Sequence, residues 1–143
     1  MDNKERVLKV IDDISKIFSV LIELKNNGRY REALETIDKT IVDYFNFDSE
    51  EFFSVSEDFF IHALKEEKGF SSEELNSLAE LLNEKGDILL KQNNLRASKK
   101  VLKNTLKIYY FLNEDQDFFS FKNMNKMVMI NEKLAKINLK IEN

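Results

Sequence analysis

The sequence predicts an all-α fold, and three observations carry that prediction. The 143 residues contain no proline and only three glycines, too little punctuation for a strand-and-turn protein, whose tight turns draw on both. Apolar residues recur at three- and four-residue spacing over long stretches, as on one face of a helix. The composition, 43% hydrophobic and 34% charged, is ordinary for a globular domain. At this length a single domain spanning residues 1–143 is expected, with a core large enough to need no covalent staples.

The first expected helix runs from Asn3 to about Asn26. Val7, Leu8, Ile11, Ile14, Ile17, Phe18, Leu21 and Leu24 form its stripe, and Val10, Val20 and Ile22 widen it beyond what one packing partner covers. Asn26-Asn27-Gly28 supplies a left-handed ending. A partner helix follows from Arg29 to about Phe45, with Tyr30, Ala33, Leu34, Ile37 and Ile41 inward, which closes a hairpin over residues 3–45.

Residues 46–70 form a Phe-rich connecting segment. Seven of the chain's 12 phenylalanines fall in residues 45–70, namely Phe45, Phe47, Phe52, Phe53, Phe59, Phe60 and Phe70. Asp48 and Glu51 make a capping-box-like start, Ser56 can cap a second short helix, and Gly69 closes it. The aromatics either fill the gap between two hairpins as core or leave part of the cluster exposed for a partner.

Ser71-Ser72-Glu73-Glu74 is a capping box, with Ser71 and Glu74 as the reciprocal pair. It opens a helix to about Gln92. A return helix capped by Asn94 runs from Leu95 to about Leu112, giving a second hairpin over residues 71–112. The last helix is expected over about 117–141. Met127, Ile130, Leu134, Ile137 and Ile141 make a heptad-like seam along it. Two uses of that seam stay open: capping the second hairpin within the chain, or self-association, with the first helix, in a symmetric dimer. The total is about six helices.

Within the second hairpin the order Leu82-x2-Lys85-Gly86-x2-Leu89, then Ser98-x3-Leu102, resembles the tetratricopeptide repeat. The first hairpin carries a similar order, Ile17-x2-Val20-Leu21-x2-Leu24, then Ala33-x3-Ile37, with Leu21 where the family has glycine. A small residue at the crossing lets two helix axes approach. The copies lie 65 residues apart, not the 34 of a tandem array, so the middle is an insertion or a degenerate unit. The longer order also resembles a family of short bacterial proteins, a domain of unknown function with a tetratricopeptide-like helical fold. It runs Asn26-Asn27-Gly28-Arg29-Tyr30, then Phe47-Asp48-Ser49-Glu50-Glu51, then Leu78-Ala79-Glu80-Leu81-Leu82-Asn83-Glu84-Lys85-Gly86-Asp87. That resemblance implies stacked hairpins and supplies no activity. In tetratricopeptide-like domains the first helix of each hairpin lines a groove for extended peptides or helices. The resemblance therefore marks Asn83, Asp87 and Lys91, with Lys25 and Asn26 from the first hairpin, as candidate partner-binding residues. Asp87 departs from clamps that grip a terminal carboxylate.

The residues offer little for catalysis. Cysteine is absent, which removes disulfides, thiolate nucleophiles and Cys-ligated metals. A single histidine, His62, follows Asp58 by four residues, a spacing more often found in a capped or half-buried imidazole than in a metal or acid–base pair. Three scattered glycines cannot build a phosphate loop. No enzyme activity, cofactor or metal is expected.

Charge is uneven. Residues 1–80 hold 10 basic against 19 acidic residues, and residues 81–143 hold 12 against 7. Arg96, Lys100, Lys103 and Lys107 recur at 4,3,4 on one helix face, with Lys99 beside them, and Lys122, Lys126, Lys133, Lys136 and Lys140 line the last helix. An anionic partner such as nucleic acid is the alternative these stripes raise. A pI near 5.2 and the scarcity of arginine and stacking aromatics weigh against it. The leading expectation is a non-enzymatic protein–protein interaction module taking a protein or peptide. The start of the chain lacks a basic-then-apolar leader, and no 18-residue apolar run occurs, so a cytoplasmic setting without membrane contact is expected.

Overall fold

The structure, a computed structural model, describes residues 2–46 and 60–142. Among these residues there are six helices and no strand. They are α1 (Asn3–Asn26), α2 (Tyr30–Phe45), α3 (Phe60–His62, continued by a π turn over Ala63–Glu67), α4 (Ser72–Lys91), α5 (Leu95–Glu114) and α6 (Phe121–Glu142).

Local chemistry explains where these helices start and stop. The Asp2 carboxylate accepts from the Glu5 amide at 2.8 Å, so α1 begins with one of its orphan donors satisfied. It ends at Gly28, whose φ of +72° lets the Arg29 amide reach the Leu24 carbonyl at 2.9 Å. α2 ends on Asn46, also left-handed at φ 59°. The Ser71–Glu74 capping box forms in full, with Ser71 Oγ accepting from the Glu74 amide at 3.1 Å and Glu74 accepting from the Ser71 amide at 3.2 Å.

Two helix starts differ from the sequence expectation. Asn94 makes no side-chain cap; Asn93 takes the left-handed conformation at φ 61°, and the Asn94 amide closes α4 on the Leu89 carbonyl at 2.9 Å. α6 begins at Phe121, not near residue 117. Asp115 draws the intervening residues into a turn, its side chain accepting from the Asp117 amide and its carbonyl from the Phe118 amide, both at 3.0 Å. The Asn113 side chain then pairs with both backbone groups of Ser120 at 3.3 Å. Ser120 accepts from the Asn123 amide at 3.2 Å and opens α6.

α4 is the central helix. It packs on α1, α2 and α5, and α5 in turn carries α6. Leu75, Leu78, Leu81, Ile88 and, at the crossing, Gly86 are buried along it. A Cβ on Gly86 would lie 2.7 Å from Leu102 Cγ, so α4 and α5 approach there because glycine has none. Ser98 uses the same closeness to donate to the Gly86 carbonyl at 2.7 Å. In the first hairpin Ala33 holds the small, fully buried position.

Of the Phe-rich segment, Phe45 and Phe60 are core, and Phe70 packs edge-on against Phe45 with ring centroids 5.3 Å apart. The expected Asp48–Glu51 box, the Ser56 cap, and Phe47, Phe52, Phe53 and Phe59 lie outside the described residues.

The expected self-association seam requires a correction. Ile130 and Ile137 are fully buried, and Met127 and Leu134 are half-buried against the chain's own core. Only Ile141 stays exposed. The seam packs on α5, so Ile130 and Ile137 are spent within the chain, as the capping alternative has it.

Candidate binding face

α1, α4 and α6 lie side by side and run in the same direction. The polar links between them fix this. Arg6 pairs with Glu74 at 3.4 Å near the starts of α1 and α4, and Lys25 pairs with Glu84 at 3.0 Å near their ends. Between α4 and α6, Asn123 donates to Asn76 at 2.9 Å, Lys126 meets Glu80 at 3.8 Å, and Lys133 meets Asp87 at 3.1 Å. These three links step up both helices together, so the register between them is constant.

Four of the five residues marked by the resemblance come together on this face. Asp87 sits at the centre, paired with Lys25 from α1, with Lys91 one turn along α4 at 3.6 Å, and with Lys133 from α6. Asn83 lies one turn before Asp87, with its Oδ1 buried and without a hydrogen-bond partner among the described residues. Asn26 stays exposed and outside the cluster.

Sequence reasoning missed Glu84 and the link at Arg6, and it read Lys126 and Lys133 as an outward basic line where they pair with Glu80 and Asp87. One signal was present: Glu80 and Asp87 are seven residues apart, and so are their partners Lys126 and Lys133. Matching seven-residue spacings of opposite charge suit two parallel helices.

The electrostatics follow from this packing. Burial alone would raise the Asp87 carboxyl, but bonding to Lys25 and the charge of Lys133 outweigh it and hold the group below its ordinary range. Burial alone would lower the Lys25 ammonium; its bonds to Asp87 and Glu84 raise it instead. Lys126 goes the other way, because burial dominates the pull of Glu80, and its ammonium lies 5.8 Å from the centre of the Tyr109 ring. Burial, with Glu80 and Glu84 nearby, pushes the Tyr109 phenol far above its usual value.

Alongside this polar strip runs a cleft. Ile11, Ser15 and Phe18 of α1 face Glu73, Asn76 and Glu80 of α4, and Phe118 closes one end; the volume is about 190 Å³. Leu8, one turn before Ile11, and Ile22, one turn after Phe18, fall on the same face of α1 at helical spacing and are half exposed. At the Phe118 end a second opening of about 320 Å³ reaches Lys122. The face therefore offers an apolar ridge from α1, a floor of carboxylates and amides from α4, and a basic edge from α6.

The basic stripe lies elsewhere. Arg96, Lys100 and Lys103 are exposed on α5 and Lys107 is half-buried. Lys103 and Lys107 border an apolar opening of about 340 Å³ formed with Leu106, Tyr110 and Leu134. His62 is exposed on α3, and Asp58 lies outside the described residues. Among the described residues no group of three or more His, Asp or Glu side chains is placed to hold a metal ion, and no helix is long and apolar enough to cross a membrane. Comparison with protein-family models, with curated proteins and with solved structures found no match.

Proposed function

We propose that the chain is a non-catalytic protein-binding module of stacked, tetratricopeptide-like hairpins acting in the cytoplasm, with the α1/α4/α6 face as its working surface. The observation that carries this reading is the cleft between α1 and α4, an apolar ridge beside a polar floor that three parallel helices hold in fixed register. Such a groove suits a helix or an extended segment of another protein, apolar side chains seated on Leu8, Ile11, Phe18 and Ile22 and polar ones over α4. The non-catalytic part is supported by how the face uses its titratable groups. Asp87, Glu84, Lys25 and Lys133 satisfy one another, and such mutual pairing stiffens a surface without leaving a base poised for proton transfer.

The test is site-specific photocrosslinking in the source cells. A photoreactive side chain at Leu8 or Ile22 should capture a discrete protein adduct, whereas the same group at Val20 or Val42, exposed away from the groove, should not. Equal capture from all four positions would refute the assignment of the face.

A second reading, an anionic partner on the basic half, is favoured by the exposure of Arg96, Lys100 and Lys103 on one face of α5. Retention on heparin that falls steeply with salt would support it, and flow-through at low salt would exclude it.

A further inference from the structure

The α1/α4 cleft is unbalanced in what it offers a ligand. Its side-chain donors are engaged: Asn76 donates to Glu80 Oε1 at 2.9 Å, and Ser15 donates to the Ile11 carbonyl at 3.0 Å. Its acceptors are open. Glu73 is exposed, and its carboxylate has no partner among the described residues. Glu80 Oε1 takes both Asn76 and, at the far limit of an ion pair, Lys126 at 3.8 Å, which leaves Oε2 free among the described residues. Between the two carboxylates, Ser77 is only 8% exposed and borders the cleft, and its hydroxyl makes no hydrogen bond among the described residues. A hydroxyl so buried and unpaired calls for a partner. Glu73, Ser77 and Glu80 follow at four- and three-residue spacing, so they share one face of α4 over about 10 Å.

No lysine or arginine among the described residues lines the cleft. The neighbouring cations do not neutralise it. Lys4 borders the opening beyond Glu73 without pairing with it, and Lys122 shares the opening beyond Phe118 with Asp117, whose carboxylate is also unpaired among the described residues. The walls are apolar, with Ile11, Ile14 and Phe18 on one side and Phe118 at one end. At about 190 Å³ the space is smaller than the roughly 300–1,000 Å³ of small-molecule pockets, and it takes one long side chain.

From these observations we infer that the cleft is a socket for an arginine side chain of the protein held in the groove. The inference rests on the groove reading for the source of the arginine, and it names that partner's chemistry. The methylene stem lies along Ile11 and Phe18, as long cationic side chains lie on apolar surface. The guanidinium donates to Glu80 beside the Phe118 ring, with Ser77 and Glu73 as further acceptors. Two features select arginine over lysine: acceptors spread along a helix suit a planar fork of donors, and aromatic faces stack on a guanidinium. A segment of protein, not a free small molecule, brings it, because Leu8 and Ile22 continue the apolar face a turn past Ile11 and Phe18.

The probe is arginine capped as its N-acetyl methylamide, titrated into the isotope-labelled full chain and followed by amide chemical shifts. Saturable shifts at Ser77, Glu80 and Phe118 should appear in the millimolar range expected of so small a ligand. The capped citrulline, an uncharged copy of the same shape, should bind about tenfold more weakly, and capped lysine several-fold more weakly. Glu73→Gln with Glu80→Gln should weaken the arginine probe about tenfold and the citrulline probe less than about twofold. Glu73 is exposed and unpaired, so Glu73→Gln alone leaves the fold intact and should still weaken arginine measurably. Citrulline binding as tightly as arginine, arginine binding unchanged in both variants, or no saturable shift in the cleft would overturn the socket; lysine binding as tightly would overturn the choice of arginine. Photocapture from Leu8 separates this result from the groove itself. In the Glu73→Gln, Glu80→Gln chain capture should fall several-fold, and undiminished capture would overturn the socket while the groove stands. A parent chain that binds the arginine probe yet captures nothing would support the socket and refute the groove.

Discussion

The Ser98 hydroxyl donates to the Gly86 carbonyl across 2.7 Å, inside the crossing of α4 and α5. Both residues are buried there, and Leu102 fills the space a side chain on residue 86 would need. Gly86→Ala gains about 1 kcal/mol of helix propensity, but overpacking against Leu102 costs about 1–3 kcal/mol. The expected net effect is a loss of up to about 2 kcal/mol, and Gly86→Leu should cost more. Urea unfolding of Gly86→Ala, Leu102→Val and the double variant checks the cause. The double variant should be more stable than the two single losses added together. Strict additivity would mean that the two residues do not meet.

Phe60 is almost wholly buried on α3, so Phe60→Ala should cost about 3–5 kcal/mol in chemical denaturation. Phe119, nearly half exposed at the entrance to α6, should cost less than about 1 kcal/mol. Equal, small effects from both would show that the Phe-rich segment does not anchor the core.

Acid should weaken the α1/α4/α6 face through Asp87. Its folded-state pKa lies below the ordinary carboxylate value of about 3.9, so its contribution is present above that pH. The contribution is lost as pH falls through the depressed value, below about pH 4. Asp87→Asn should lower Tm at pH 7 and flatten the Tm loss below about pH 4. An acid loss identical to the parent's would contradict the pairing. Lys25 has the opposite sign: its raised value gives a contribution present below about pH 10.4 and lost as pH climbs through the folded value.

Much of this architecture was legible in the sequence, and the limits were physical. The Ser71–Glu74 box, the Gly28 ending and the small residues Gly86, Ala33 and Ser98 stand out because caps and close crossings admit few residue types. Periodicity said that Ile130 and Ile137 face something apolar. It could not say whether that neighbour was α5 or a second molecule, since both bury the same stripe. The Asp87–Lys133 and Glu80–Lys126 pairs join residues 46 apart in sequence, and no i,i+4 rule reaches that far. Asn83, Asp87 and Lys91 were found because they share one helix face. The pairing of Asp87 with Lys25 and Lys133 was not, because it depends on where α1 and α6 land.

The packing of α6 makes its own prediction. Ile130→Ala or Ile137→Ala should cost about 2–5 kcal/mol, as for any buried isoleucine, to the same extent at every protein concentration. Loss of stability only at high concentration would instead place these residues between molecules.

The central claim is that α1, α4 and α6 present a groove for another protein. It is tested most directly by the dissociation constant between the purified chain and the protein captured by crosslinking from Leu8 or Ile22. Leu8→Asp with Ile22→Asp places two charges on the apolar wall and should weaken binding by about a hundredfold, roughly 1–2 kcal/mol for each apolar anchor removed. Val20→Asp with Val42→Asp, an equal change in charge on surfaces away from the groove, should alter it less than about twofold, as rim or remote substitutions do. The reverse pattern, or equal weakening by both pairs, would contradict the account.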